Sequence, residues 1–104
     1  MLDIYWSFLS KITFSEEIYF ILRKWNQTEV DKFSELVYDS LEKLSKNPEI
    51  GIFNSKFNCF SIVISKQTTL FYKILESEKK VALILFWNNK QNPAYLKKML
   101  HESY

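Results

Sequence analysis

A chain of 104 residues with a net charge of +2, one cysteine and one histidine has room for a single hydrophobic core, residues 1–104 forming one domain, and for no internal disulfide. One His and one Cys do not assemble a conventional zinc site, and 47% hydrophobic content with 25% charge excludes a long disordered stretch. The longest unbroken apolar run, Val81–Trp87, is far shorter than the ~18 residues that suggest a membrane span, and Asp3 stands where a signal peptide needs positive charge. A cytoplasmic protein is expected, with no membrane contact, no metal and no cofactor.

The charge is polarised. Residues 1–50 hold six Lys/Arg against nine Asp/Glu, a net of −3, whereas residues 51–104 hold eight against three, a net of +5. The basic half predicts an anionic partner. Thirteen of the fourteen cations in the whole chain are Lys, with Arg23 the one Arg. Lysine is a point charge rather than a planar fork, so bidentate phosphate or guanine readout is largely closed to this chain.

Leu2–Trp6 alternates weakly and predicts a first strand, after which Ser7 can cap a helix. Phe14, Ile18, Ile21 and Trp25 recur at helical spacing. Asn26-Gln27-Thr28 breaks that pattern, and Thr28–Asp31 resembles a weak capping box for a second helix carrying Phe33, Leu36, Val37, Leu41 and Leu44 on one stripe. Asn47-Pro48 stops it, because Pro disfavours helical geometry in the residue before it. After Gly51 the period becomes two. Phe57–Ser65, Thr69–Leu75 and Val81–Trp87 read as strands joined by short polar turns, and such turns join antiparallel neighbours. Val81–Trp87 is apolar throughout, so it should be covered on both faces. Asn92 and Pro93 open a last helix over Ala94–His101. The expected class is α+β, in the order β-α-α-β-β-β-α, with an antiparallel sheet packed against a helical pair.

Familiar catalytic arrangements are absent. There is no Gly-rich phosphate loop, and His101 lies in the last turn of the chain. Cys59 alternates into a strand between Phe57 and Phe60 and reads as a small buried hydrophobe. Trp6 and Trp25 read as core or rim, and Glu16-Glu17 as a solvated helix face. Lys56, Lys66, Lys73 and Lys90 flank or sit on strands, and with Tyr72 and Tyr95 nearby they form a candidate nucleic-acid patch. The alternative is that surface lysines only keep an aromatic-rich protein soluble.

Trp6-Ser7 after the first strand, Leu41–Gly51 (LEKLSKNPEIG) closing the second helix, Thr69–Ile74 (TLFYKI) and Leu85–Pro93 (LFWNNKQNP) together resemble the RelE/ParE superfamily of bacterial type II toxins. The likeness spans nearly the whole chain. It implies a growth-inhibiting toxin, of the kind associated with plasmid stabilization, neutralised in a hetero-oligomer by a cognate antitoxin. RelE-like members are ribosome-dependent mRNA endoribonucleases (mRNA interferases), which need no metal; ParE-like members are gyrase inhibitors that bind DNA gyrase. The arginine-rich cluster of the nucleases transfers poorly, since no Arg follows Arg23 and Trp87-Asn88-Asn89 stands where a catalytic His or Tyr is expected. If the chain is a nuclease, the resemblance implies Lys66, Lys73, Lys90 and Tyr95 as catalytic residues. Lys56, Asn88, Asn89 and Gln91 are the candidate contacts to target or nucleic acid. A ParE-like binder of a protein target is the reading this pattern favours, with a ribosome-dependent nuclease or a non-toxic interaction module as alternatives.

Overall fold

The computed structural model describes residues 1–102. Strand β1 (Asp3–Trp6) leads into helices α1 (Phe8–Lys24) and α2 (Gln27–Lys46), followed by strands β2 (Ile52–Asn54), β3 (Cys59–Val63), β4 (Thr68–Leu75) and β5 (Lys80–Asn88), and helix α3 (Pro93–Glu102). The chain is thus α+β as expected, with two differences in detail. Three residues at β2 are too short to show an alternating pattern, so this edge strand was not legible as one. The sheet is also mixed, in the order β1-β5-β4-β3-β2: the last four strands pair antiparallel, but β1 lies parallel to β5. Short turns constrain only sequential neighbours, whereas β1 returns to β5 after a long connection that permits a parallel pair.

Local signals set the helix ends. Ser7 Oγ accepts from Ser10 N at 3.0 Å, and Asn92 Oδ1 accepts from Ala94 N at 3.0 Å. The cap of α2 is Asn26, whose Oδ1 accepts from Glu29 N at 3.0 Å, rather than the expected box at Thr28–Asp31. Asn26 is in extended backbone and bonds the donor three residues on, so it takes the position that Thr28 would have needed. With one glycine in the chain, the left-handed turn positions fall to Asn58 and Lys79 (both φ 53°).

Strand β5 is paired on both sides and buried on both faces. Its pairing with β4 slips between Phe71 and Tyr72, which oppose Leu85 and Leu83 and leave Ile84 as an extra residue. This bulge reverses the inside–outside parity of the strand. Before it, Val81 and Leu83 face the main core with Ile74 and Tyr72; after it, Phe86 does so with Leu70. Ile84, Leu85 and Trp87 fall on the other face, where Phe57, Cys59, Phe71 and Leu100 form a second core with Leu96 and Met99 of α3. In the main core, Trp6, Phe14 and Phe86 make an aromatic cluster with ring centres 5.4–5.6 Å apart, and Phe14 stacks on Phe33 of α2 at 6.0 Å. Trp25, at the end of α1, is a rim residue exposed to solvent.

β1 ends at the pair Trp6–Leu83, so the edge of β5 beyond that point needs other hydrogen-bond partners. Helix α1 and its cap supply two for the backbone and a third for the side chain of Asn88. Ser7 Oγ donates to Ile84 O at 3.0 Å, Thr13 Oγ1 accepts from Phe86 N at 2.9 Å, and Glu17 accepts from Asn88 Nδ2 at 3.2 Å. The buried side of α1 is therefore polar at Ser10, Thr13 and Glu17.

The single glycine has a spatial role. Tyr72, fully buried, donates through Oη to Pro48 O at 2.7 Å and accepts from Gly51 N at 3.1 Å, which fastens the α2–β2 connection to the middle strand. A Cβ at Gly51 would sit 2.5 Å from Tyr72 Oη and 2.6 Å from Ser61 O. Gly51 is in extended backbone, so the constraint is space and not φ. Gly51→Ala is expected to lower stability by about 1–3 kcal/mol through overpacking, measured as a reduced urea midpoint. A midpoint equal to wild type would show that the contact relaxes freely.

Candidate functional site

The end of the sheet where β5 finishes gathers most of the amide-rich turn that the sequence singled out. Thr68 pairs with Asn88 there, beside the β3–β4 turn. Asn89 ties the two loops together: its N donates to Gln67 O at 2.7 Å, its Nδ2 to Lys66 O at 3.2 Å, and its Oδ1 accepts from Thr69 Oγ1 at 2.9 Å. Asn88 Oδ1 accepts from Lys90 N at 2.9 Å, and Asn88 O from Gln91 N at 3.0 Å. The turn is thereby held as a rigid frame from which Lys66, Lys90 and Gln91 stand exposed, while Asn88 turns inward. The inward turn of Asn88 follows from the bulge at Ile84. Without that extra residue, Trp87 would face α1 and Asn88 the opposite side.

Beneath this frame lies Glu17, which the helical pattern alone places on a solvated face. It is 6% exposed. Its carboxylate accepts from Thr68 Oγ1 of β4 and from Asn88 Nδ2 of β5, so one side chain pins α1 to both strands. Burial pushes the Glu17 pKa above the ordinary carboxylate value, with a smaller push from Glu16; the bonds from Thr68 and Asn88 pull the other way. A groove of about 510 Å³ opens above it, lined by Tyr19, Phe20, Arg23, Lys90 and Gln91 with Glu16 at the side. No local signal in the sequence reveals this carboxyl, because its burial depends on Thr68 and Asn88, 51 and 71 residues away.

The remaining candidates lie elsewhere. Lys73 pairs with Ala82, five residues along β4 from Thr68, or ~16 Å at the rise of a strand. It is half-buried on the α3 side of the sheet, lining a largely apolar groove of about 770 Å³ with Tyr5, Phe8, Leu9, Ile84 and Met99. Lys56 is in the β2–β3 turn, its Nζ 5.8 Å from the Phe57 ring centre. Tyr95 is exposed in the first turn of α3. Tyr72, expected beside the patch, is a core residue. Lys66 and Lys90 therefore share one end of the molecule, and Lys73 does not join them. Cys59 is buried as expected, and His101 packs edge-on to Phe57 with ring centres 5.4 Å apart. Among the described residues, no three potential ligands converge on a metal position, and no helix is long and apolar enough to cross a membrane.

No protein-family model matches this sequence, and no curated protein is significantly similar to it. Solved structures are. The isolated RelE toxin of E. coli superposes with a TM-score of 0.61, covering 98% of this chain and 99% of that one at 13% identity. The YoeB/ParE toxin from Agrobacterium tumefaciens gives a TM-score of 0.57 over 85% of this chain and 99% of that one, at 14% identity. The fold is that of the RelE/ParE toxins. Identity this low carries the architecture and not the chemistry. The RelE-like order of strands and helices places the amide turn between β5 and α3.

The Glu17 clamp has a pH signature. Its folded-state pKa lies above the unfolded one, so the stability from the bound proton is fully present below the ordinary carboxylate range and is lost as pH rises through the raised value. Glu17→Gln keeps the shape and can donate to Thr68 while accepting from Asn88. Thermal melts are expected to match wild type near pH ~4 and to exceed it at neutral and mildly alkaline pH. A wild-type protein that gains stability over the variant as pH rises would contradict this account.

Proposed function

We propose that this protein is the growth-inhibiting toxin of a toxin–antitoxin pair, held inactive by a small cognate antitoxin and acting by binding a protein target, with DNA gyrase as the target that the ParE-like resemblance suggests. The observation that carries the binding reading is the dispersal of the cations. Cutting RNA through its ribose 2′-hydroxyl needs a proton acceptor and phosphate-charge stabilisers within reach of one bond. Here Lys66 and Lys90 stand at one end of the sheet, Lys73 lies ~16 Å away along β4, and Lys56 is in a third place. Lysine, with an ordinary pKa of ~10.4, is in any case a weak general base. The rigid amide frame of residues 88–92, with Lys66 and Lys90 beside it, instead suits a contact surface that meets an acidic protein face.

The antitoxin has a place in the same reading. The apolar groove lined by Tyr5, Phe8, Leu9 and Met99 leaves hydrophobic surface uncovered, and Lys73 at its wall favours an acidic segment. A second reading, ribosome-dependent mRNA cleavage, draws support from the fixed spacing of Lys66 and Lys90 on either side of Asn89. In that case Tyr95 moves the proton and Lys66, Lys73 and Lys90 hold phosphate charge.

Induction in cells separates the two. Under the binding reading, Lys73→Ala and Tyr95→Phe each leave growth arrest intact, and supercoiling or replication fails before messenger RNA is cut. Under the nuclease reading, each loss costs ~10²-fold or more in cleavage, with folding unchanged. Absence of growth arrest from the wild-type protein would remove both in favour of a non-toxic interaction module.

A further inference from the structure

Helix α1 is apolar on the wrong side. Its buried face carries Ser10, Thr13, Glu17 and Ile21, of which Thr13 and Glu17 bond β5 and Ser10 bonds Ser7 O at the helix cap. At ~100° per residue, the positions diametrically opposite are Phe8, Ile12, Ser15, Tyr19 and Leu22. These are exposed, Phe8 at 79%, Ile12 at 40%, Tyr19 at 65% and Leu22 at 42%, with Ser15 also open to solvent. Singly, exposed apolar residues are ordinary. A continuous stripe is not, and the spacings here run four, three, four, three, which is the repeat of a coiled-coil seam. No element of the chain's own core explains the stripe, because α1 meets that core through Phe14, Ile18 and Ile21 on its other side.

The flanking charges identify what can cover it. With Ile12 and Tyr19 at a, and Phe8, Ser15 and Leu22 at d, Lys11 is a g residue and Glu16 the e residue five positions later. In a parallel pair of helices, g of one strand meets that e of the other. Lys11 and Glu16 have opposite signs in this relation, so a second α1 presents both complements at once. The ion pairs within the described residues, Lys32–Glu29 and Lys46–Glu42, use neither side chain. Ser15 at the middle of the seam lets the two backbones approach closely.

We propose that α1 is a homodimerisation helix: two copies of this chain pair their α1 helices in parallel through Phe8, Ile12, Ser15, Tyr19 and Leu22, with Lys11 of each copy against Glu16 of the other. The seam from Phe8 to Leu22 spans ~21 Å, two heptads, which makes a small interface and a reversible, concentration-dependent dimer. The proposal does not depend on the toxin reading. The interface shares Phe8 with the Lys73 groove, and Tyr19 and Glu16 with the groove beside Lys90 and Gln91, and leaves the rest of both surfaces open on each copy.

Sedimentation equilibrium of the full chain, from low micromolar to the highest soluble concentration, tests it. A monomer–dimer equilibrium is expected. Tyr19→Lys should weaken the dimer by about tenfold or more while the thermal melt stays near wild type. Should that variant fail to fold, Ile12→Lys serves in its place. Lys11→Glu should weaken the dimer by about two- to fivefold, and adding Glu16→Lys should restore it. A monomer at every concentration, a dimer indifferent to Tyr19→Lys and Ile12→Lys, or a charge reversal that does not rescue would each overturn the proposal. Covering of the stripe solely by a helix of another protein would overturn it as well.

Discussion

The open edge of β5 is the constraint around which the rest of the molecule is arranged. β1 covers that edge only as far as Leu83, and backbone groups past that point cannot be left buried and unpaired without a cost comparable to a lost hydrogen bond. α1 follows β1 directly and lays Ser7, Thr13 and Glu17 along the remaining edge. Ser7, the cap of α1, and Thr13 within it thereby pair backbone groups that a strand would pair, and Glu17 holds the side chain of Asn88 at the strand's end. The consequence is a helix whose inner face is committed to hydrogen bonding, so that much of its apolar content is turned outward.

The bulge at Ile84 acts with this ladder. An unbulged strand would send alternate residues of β5 to fixed faces for its whole length, and Asn88 would lie on the α3 side. One extra residue reverses the parity, places Phe86 in the main core and delivers Asn88 to Glu17. The same reversal turns Trp87 toward α3, where it helps hold the terminal helix. Core packing, the posture of the amide turn and the seat of α3 are therefore linked through one irregularity in one strand. Bulges are common near functional sites because they re-aim side chains in this way.

Sequence and structure similarity separate sharply in this protein. Whole-chain superposition on the RelE and YoeB/ParE toxins coexists with identities of 13% and 14%. Hydrophobic patterning of roughly the right volume suffices to maintain such an architecture, while polar surface residues are free to change. The near-exclusive use of lysine fits a surface that relies on charge and contact area more than on bidentate recognition. Three surfaces result: the amide turn with Lys66 and Lys90, the apolar groove beside Lys73, and the outer stripe of α1, which meets the first through Tyr19 and the second through Phe8.

The α+β class, both long helices, three of the five strands near their true bounds, the approximate first strand and the caps at Ser7 and Asn92 are all legible in the linear chain. These follow from local periodicity and from side chains bonding backbone within a few residues, which are properties of short windows. The burial of Cys59 and the covering of Val81–Trp87 on both faces are legible too, since a wholly apolar strand admits little else. The parallel pairing of β1 with β5, the existence of β2 and the core position of Tyr72 emerge only in the folded molecule. So does the burial of Glu17, because the partners that make a carboxyl tolerable there come from β4 and β5. That Lys66 and Lys90 come together while Lys73 lies apart was likewise invisible, since the register of β4 on β5 sets those positions. Long-range pairing, summed over many weak contacts, is what a one-dimensional pattern does not encode.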